Sequence, residues 1–156
     1  MSLINSPTLF QSKIVNSIFG KNVKIVEPSN IYGTTIGEDC FIGPFVEIQK
    51  ETKIGNNCKI QSHSFICEFV EIGNNCFISH GVMFINDLFS EGKPAGGDKT
   101  KWKSTKIGNN VSIGTNATIL PVNICDNVVI GAGSVVTKSI HEPGFYVGNP
   151  AKKLNK

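Results

Sequence analysis

The sequence contains no arginine, and all fifteen basic residues among its 156 are lysines. Any phosphate that this chain binds must therefore be held by lysine ammonium groups and backbone amides, because only arginine offers a two-pronged guanidinium fork. The formal net charge of +3 is too small to argue for nucleic acid. We expect no nucleic-acid partner.

Long apolar runs and clustered cysteines are missing as well. No stretch approaches the ~20 consecutive apolar residues that a membrane-spanning helix needs, and the first residues lack the pattern of a signal peptide. The five cysteines include no CxxC pair, so we expect neither a metal site nor a disulfide framework. These absences predict a cytoplasmic protein with no membrane partner, and the length suits a single domain, 1–156.

What the sequence does contain is a repeated phrase. The letters IGNNC occupy residues 54–58 and return at 72–76. Near copies begin at residues 19, 36, 107 and 124. The steps between successive copies are 17, 18, 18, 35 and 17 residues, so one step is a normal period with 17 additional residues. An insertion between 72 and 107 explains the long step.

Inside each period, large apolar residues recur at every sixth position. Ile36, Ile42 and Ile48 begin a run that reaches Phe84 without a miss, and a compact residue follows each of them four places later. Neither a helix with 3.6 residues per turn nor a strand of period two produces this step. A chain that bends every six residues does, since three hexads close a triangular coil, and hexapeptide repeats are typical of parallel β-helices. Successive coils then stack ~4.8 Å apart as parallel sheet.

The period predicts an all-β fold, a parallel β-helix of about six triangular coils with one long inserted loop. We assign residues 19–140 to the β-helix, 85–106 to the inserted loop, 1–18 to an N-terminal arm or cap, and 141–156 to a C-terminal cap. The handedness does not follow from the period, since parallel crossovers are normally right-handed. Three cysteines hold one fixed place in successive coils, which indicates packing. They are Cys40, Cys58 and Cys76.

Three further motifs carry a family resemblance: ATILP at 117–121, IGAGSVVTK at 130–138 and GNPAKKL at 148–154. With the hexads, they make the chain resemble the hexapeptide-repeat acyltransferases. The resemblance implies a left-handed β-helix, a homotrimer, acetyl-CoA as acyl donor, and an active site in the cleft between adjacent prisms. HGVMFIND at 80–87 is similar to a motif of bacterial N-acetyltransferases that act on nucleotide-linked amino sugars.

His80 is the candidate catalytic residue. It follows the core residue Ile78 by two positions, so the six-residue register points it outward, beside the insertion. An imidazole titrates near neutral pH and suits a general base. The resemblance implies that His80 takes a proton from the acceptor amine as this attacks the thioester, while a backbone N–H holds the oxyanion. A plain surface histidine is the alternative.

Asn86 and Asp87, at the root of the inserted loop, are candidate substrate-binding residues. Asp87 either orients His80 or binds the acceptor, and an Asx turn leaving the strand is the alternative. His63, one coil below His80, has a weaker claim to the same face. Trp102, the only tryptophan, either pins the loop to its own prism or covers a neighbour or ligand.

The donor is expected along the upper coils. Gly131, Ala132 and Gly133 are small enough to let pantetheine approach the backbone, and we expect them to line its groove. Lys138 and Lys152 are candidates for binding the phosphates of CoA.

Four functions remain open at this point. The first is an acetyl-CoA-dependent N-acetyltransferase acting on an amino sugar, nucleotide-linked by the resemblance. The second is an O-acetyltransferase of the same fold acting on a sugar or serine hydroxyl. A γ-type carbonic anhydrase needs three zinc-bound histidines, and the next histidine after His80 is His141, outside the hexads. A non-catalytic scaffold would have no use for the intact HGVMFIND and GAGSVVTK motifs.

Overall fold

The computed structural model describes residues 11–155 as three parallel β-sheets that form the sides of a triangular prism. Sheet A stacks seven strands: β1 (Ile14–Val15), β4 (Asn30–Tyr32), β7 (Glu47–Ile48), β10 (Phe65–Ile66), β13 (Met83–Phe84), β16 (Thr118–Ile119) and β19 (Val135–Val136). Sheet B stacks six: β2 (Ile18–Phe19), β5 (Thr35–Ile36), β8 (Lys53–Ile54), β11 (Val70–Ile72), β14 (Thr105–Ile107) and β17 (Asn123–Ile124).

Sheet C stacks eight strands: β3 (Lys24–Ile25), β6 (Phe41–Ile42), β9 (Lys59–Ile60), β12 (Phe77–Ile78), β15 (Ser112–Ile113), β18 (Val128–Ile130), β20 (Gly144–Val147) and β21 (Lys152–Lys153). Every pairing is parallel except that of β20 with β21. The predicted all-β, left-handed parallel β-helix is confirmed, with about seven turns where the repeats predicted about six.

The apolar hexad positions fill the axis of the prism. Ile54 pairs directly with Ile72, and their side chains are only 3% and 4% exposed. The compact residues four places later are buried as well, and Cys40, Cys58 and Cys76 stack in one column. The thiols of the last two donate to glycine carbonyls at 3.1 and 3.2 Å, so this column serves packing as predicted.

Three corners join the sheets, and each is named here by its residues. The asparagine corner leads from sheet B to sheet C and comprises residues 37–39, 55–57, 73–75, 108–110 and 125–127. The histidine corner leads from sheet C to sheet A and comprises residues 43–45, 61–63, 79–81, 114–116 and 131–133. The loop corner leads from sheet A to sheet B and carries the inserted loop.

The coil extends beyond the predicted 19–140 at both ends. Ile14 pairs with Ile31 in β1 and β4, so strands begin inside the segment 1–18 that was assigned to an arm or cap. Residues 1–10 lie outside the described part of the chain. At the other end, β20 adds to sheet C beside β18, and the N–H of Ala151 donates to the carbonyl of Val135 at 2.8 Å. The C-terminal segment thereby covers the upper edges of sheets C and A.

The inserted loop is shorter than predicted. It leaves the coil after β13 and returns at β14, so its irregular part spans residues 85–104, because Thr105 and Lys106 already belong to β14. One short 3-10 helix, Lys99–Lys101, lies within it. Within residues 11–155 there is no helix long and apolar enough to cross a membrane.

Candidate active site

His80 lies on the outer surface of the histidine corner and is exposed. Its Nδ1 atom lies 2.8 Å from the hydroxyl oxygen of Ser62, which occupies the same corner position one coil below. No residue within 11–155 is hydrogen-bonded to the Nε2 atom, which faces outward. Sequence reasoning missed Ser62, although the 18-residue spacing from His80 was a usable signal, because residues one period apart lie over one another.

His63 does not join this pair. Its backbone has a φ of 62°, and its ring stacks on Phe45 with centroids 4.9 Å apart and planes 16° apart. The coil register puts Gly81, not His80, directly above it, since the N–H of Gly81 donates to the carbonyl of Ser62. His63 therefore lines the histidine corner but contacts a phenylalanine.

Four of the five middle backbone N–H groups at the asparagine corner have an acceptor, and that of Asp126 in the top coil has none among residues 11–155. In the four lower coils the N–H of the middle corner residue donates at 2.8 Å to a side-chain oxygen of the coil above. The donors are Glu38, Asn56, Asn74 and Asn109, and the acceptors are Asn56, Asn74, Asn109 and Asp126. These bonds satisfy polar groups that a turn would otherwise leave open.

The equivalent N–H groups at the histidine corner have no acceptor among residues 11–155. They belong to Ser62, His80, Thr115 and Ala132, and the lowest coil carries Pro44, which has no N–H, at this position. The two corners otherwise share a backbone path, since the residue after each middle position bonds to the coil below in both. The histidine corner therefore presents free N–H donors beside the imidazole of His80.

Gly131, Ala132 and Gly133 lie on the same histidine corner, two coils above His80 and about 10 Å higher at ~4.8 Å per coil. Between them lies Thr115. A Cβ atom at Gly114 would lie 2.5 Å from the amide nitrogen of Ala132, so only glycine allows this close stacking. The sequence-predicted donor residues and His80 therefore share one smooth edge of the prism.

The two lysines predicted to bind phosphate do not lie on this edge. Lys138 follows β19 and is exposed on the loop corner, at the far end of the strand from Gly133. Lys152 lies in β21 opposite Val147, whose side chain covers Gly131. Lys152 is thus the nearer of the two to the glycines, and the role of each remains a prediction.

Asn86 and Asp87 lie at the loop corner, separated from His80 by strand β13. The side chain of Asn86 donates to the carbonyl of Glu68 at 3.3 Å. The two carboxylate oxygens of Asp87 accept from the N–H groups of Phe89, at 2.9 Å, and Ala95, at 2.7 Å. Within one chain, Asp87 therefore shapes the loop as an Asx turn, and Ser62 rather than Asp87 is the partner of His80.

The inserted loop is fastened to its own prism by Lys99 and Trp102. The ammonium of Lys99 pairs with Glu51 at 2.8 Å and with the buried carboxylate of Glu68, and it lies 5.5 Å from the ring centre of Phe69. Trp102 meets the same phenylalanine edge-on at 6.4 Å. Hydrogen bonding to Glu51 and then to Glu68 raises the pKa of Lys99 above its ordinary value.

An apolar hollow of about 450 Å³ lies on the outer face of sheet A, next to the loop. Its apolar side chains include two that are strongly exposed, Leu88 at 49% and Phe89 at 57%. Phe65, Met83 and Leu120 line it from the strands. Among residues 11–155, no three side chains of the metal-binding types His, Cys, Asp and Glu converge on one point.

Two family models match the repeats. The model described as bacterial transferase hexapeptide (six repeats) matches residues 33–68 and 52–86, and the hexapeptide repeat of succinyl-transferase matches residues 104–138. The chain belongs to the bacterial hexapeptide-repeat transferases. The match spans all the coils that carry His80, Thr115 and the glycine triplet, so the candidate site lies within the family's repeat.

Two individual hexapeptide-repeat transferases are similar over most of this chain. The bifunctional protein GlmU of Clostridium botulinum is 37% identical over 154 residues, which cover 93% of this chain and 33% of the relative. The chain thus spans about a third of the length of this relative. AntD, an N-acyltransferase from Bacillus cereus solved with dTDP and coenzyme A, superposes with a TM-score of 0.78 at 26% identity, covering 89% of this chain and 82% of AntD.

A hexapeptide-repeat transferase with a different acceptor is also similar. The maltose O-acetyltransferase from Clostridium difficile has a TM-score of 0.55 and 27% identity, covering 90% of this chain and 69% of that enzyme. The similar proteins are therefore acyltransferases, and they include an N-acyltransferase, AntD, and an O-acetyltransferase.

Proposed function

We propose that this chain is an acetyl-CoA-dependent N-acetyltransferase that acts on an amino sugar linked to a nucleotide. The observation that carries the proposal is the histidine corner, where an outward imidazole, a free backbone N–H and a glycine-lined edge follow one another along the prism. AntD, which was solved with dTDP and coenzyme A, supports both an acyl-CoA donor and a nucleotide-bearing acceptor. The cytoplasmic location stays a prediction.

His80 serves as the general base in this proposal. The mechanism requires the tautomer in which Nδ1–H donates to the hydroxyl of Ser62, 2.8 Å away, because Nε2 is then free to accept a proton. The neutral amine of the acceptor attacks the thioester carbonyl and forms a C–N bond. His80 Nε2 takes the amine proton, and the C–S bond breaks as the tetrahedral intermediate collapses. The products are the amide and CoA, whose thiolate receives a proton from the imidazolium.

Thr115 supplies the oxyanion donor. Its backbone N–H lies one coil above His80 on the same corner and has no partner among residues 11–155. A preorganised N–H aimed at the developing oxyanion is worth roughly 2.7–4 kcal/mol of transition-state stabilisation in other acyl-transfer enzymes. Pantetheine lies along Ala132 and Gly133 above it, because the side chain of Val147 covers Gly131. Lys138 and Lys152 are candidate phosphate contacts.

A homotrimer completes the site in this proposal. His80 and the pair Asn86–Asp87 stand at opposite ends of the sheet A face, which carries the exposed apolar hollow. A threefold axis facing sheet A would bury that hollow and bring the histidine corner of one copy against the loop corner of the next. Asn86 and Asp87 of one chain would then contact the acceptor bound at His80 of its neighbour.

O-acetylation is the second candidate, because the maltose O-acetyltransferase is similar over 90% of this chain. A hydroxyl is a far weaker nucleophile than a neutral amine, so an O-acetyltransferase depends more heavily on its base. The effect of removing His80 therefore separates the two reactions.

The decisive experiment measures release of the CoA thiol from acetyl-CoA with a panel of nucleotide-linked amino sugars and their hydroxyl counterparts. We expect transfer to amines, reduced about 100-fold in His80→Ala, and unchanged in the matched surface variant His63→Ala. Transfer confined to hydroxyl acceptors and abolished in His80→Ala would favour O-acetylation. Absence of transfer to any acceptor, with no binding of CoA, would contradict the proposal.

A further inference from the structure

Sheet C carries a vertical stripe in which lysines alternate with phenylalanines. Strand pairing places Lys24 beside Phe41, Phe41 beside Lys59, and Lys59 beside Phe77 on the outer face of the sheet. Each is the residue just before an isoleucine that packs in or against the core, buried in three cases and partly buried at Ile25, so all four side chains point away from the core. Phe77 is 39% exposed, which is unusual for an aromatic ring with no partner to cover it.

The two lysines of this stripe are free. Neither Lys24 nor Lys59 makes an ion pair or a side-chain hydrogen bond within residues 11–155. Other lysines behave differently: Lys53 and Lys106, at the equivalent positions on sheet B, both pair with Glu71. Unpaired ammonium groups on either side of an aromatic ring leave positive charge available to a ligand.

A groove of about 750 Å³ runs over the lower part of this stripe. Its walls include Lys24, Phe41, Lys59 and Gln61. The groove has a single carboxylate, Asp39, whose Oδ1 accepts a hydrogen bond from the side chain of Asn22 at 2.9 Å. Two lysines against one carboxylate leave the groove with a net positive charge.

The groove leads toward His80. Phe77 and His80 belong to the same pass of the chain, three residues apart, and Lys59 stands in the same relation to Ser62. The chain turns the histidine corner between them, so the stripe and the imidazole stand on either side of one corner. The glycine-lined edge lies above His80 and the groove lies below it, so two ligands can approach the imidazole from opposite directions.

We propose that this groove binds the nucleoside diphosphate portion of the acceptor, with the phosphates between Lys24 and Lys59 and the base against Phe41 or Phe77. The inference rests on the proposed function, because it assigns the acceptor's nucleotide to one surface of that site. Lysines bind phosphate as point charges, which suits a chain without arginine. Aromatic rings stack on any nucleobase, so the stripe itself does not select the base.

CoA also contains an adenosine diphosphate, so the experiment must separate the two sources. Binding of dTDP, UDP, inorganic pyrophosphate and CoA is measured by calorimetry for the wild type and for Lys24→Gln/Lys59→Gln. We expect dissociation constants for dTDP, UDP and pyrophosphate to rise at least about tenfold, or ~1.4 kcal/mol, with CoA unchanged. A rise for CoA alone would assign the groove to the donor and overturn the proposal.

The matched control is Lys53→Gln/Lys106→Gln, which removes two lysines at the same hexad position on sheet B. Equal weakening by both pairs would mean that net charge alone attracts the nucleotide, and it would overturn the assignment. Phe41→Leu/Phe77→Leu should weaken dTDP and UDP but leave pyrophosphate unchanged, because only the nucleotides have a base to stack. Unchanged affinity for dTDP and UDP in this variant would likewise contradict the assigned role of the rings.

Different results would contradict the nucleotide-binding groove and the proposed transferase function. Wild-type protein that binds dTDP or UDP through the two lysines but transfers no acetyl group would retain the groove and contradict the function. Protein that transfers acetyl to nucleotide-linked amino sugars, with a KM for them unchanged in Lys24→Gln/Lys59→Gln, would retain the function and contradict the groove.

Discussion

The asparagine corner and the histidine corner follow the same backbone path but differ in what their N–H groups do. At the asparagine corner, side-chain oxygens of successive coils accept the middle N–H groups of the four lower coils, so these donors have partners within the chain. At the histidine corner the same groups are free, and His80 and Ser62 project beside them. One coil geometry can thus give the N–H groups of one corner partners within the chain and leave those of another corner available.

The largest effect is expected from removing one N–H at the histidine corner. Thr115→Pro should lower kcat roughly 100- to 1,000-fold, because the oxyanion loses its donor. The fold should tolerate it, since Gly43-Pro44-Phe45 occupies the equivalent position two coils below His80, with Phe45 at a φ of 59° and Asn116 at 58°. Thermal unfolding and steady-state kinetics measure the two effects.

Thr115→Ala is the control for this variant, because it keeps the N–H and removes only the hydroxyl, which lies 2.8 Å from the hydroxyl of Ser79. We expect its kcat to stay near that of the wild type. If Thr115→Pro were as active as Thr115→Ala, the free N–H would have no part in catalysis.

The opposite outcome is expected at the asparagine corner, where Asn74→Ala should reduce stability and not activity. Its side chain accepts the N–H of Asn56 at 2.8 Å and donates to Asn109 at 3.1 Å. Loss of these exposed bonds should lower the free energy of unfolding by about 1 kcal/mol. Urea denaturation measures this, and Ser62→Ala, which removes one exposed bond at the histidine corner, should lower the free energy of unfolding by only about 0.5 kcal/mol. Equal losses of unfolding free energy in the two variants would mean that the two corners contribute equally to stability.

Ser62→Ala should affect the reaction instead. Removing a hydrogen bond worth about 0.5–1.5 kcal/mol should reduce kcat/KM roughly two- to tenfold, because His80 loses the hydroxyl that holds its ring in place. Rescue by Ser62→Thr is the informative readout, since that variant keeps a hydroxyl at the same position. If Ser62→Thr were no more active than Ser62→Ala, the hydroxyl would not position His80.

The smallest effect concerns the loop corner, where Lys99 holds the loop. Its pKa is raised above 10.5 by Glu51 and Glu68, so its contribution is fully present below pH 10.5 and is lost as the pH rises through the raised value. Fluorescence of Trp102 should therefore be constant through neutral pH and change only above about 10.5. Lys99→Gln should abolish the part of the fluorescence change that release of the loop causes. An identical alkaline transition in this variant would show that Lys99 does not hold the loop.

The repeat period was sufficient to predict the coil, because the period arises from packing within each coil. Each sixth apolar residue must reach the axis, and Ile54 over Ile72 follows from the period alone. The lowest coil escaped prediction because Ile14 precedes Phe19 by five residues, not six, and is 36% exposed.

The candidate site was predicted in part. His80 and residues 131–133 share a corner, as the register implies. The 18-residue spacing could also have identified Ser62 as the neighbour of His80. The loop contacts were not, because Lys99 with Glu51 and Asp87 with Ala95 join residues 48 and 8 positions apart without any period. The roles of Asn86, Asp87, Lys138 and Lys152 remain predictions, since they depend on a neighbouring copy or a bound ligand.

The most direct test of a site shared between chains mixes two variants that each lose most of the activity. His80→Ala and Asp87→Ala are unfolded together, refolded as a mixture, and assayed for acetyl transfer beside each variant alone. If one chain supplies His80 and its neighbour supplies the loop, about a quarter of the sites in a random trimer regain both residues, and activity should recover to about that fraction of the wild type. Activity no higher than the average of the separate variants would contradict the shared site.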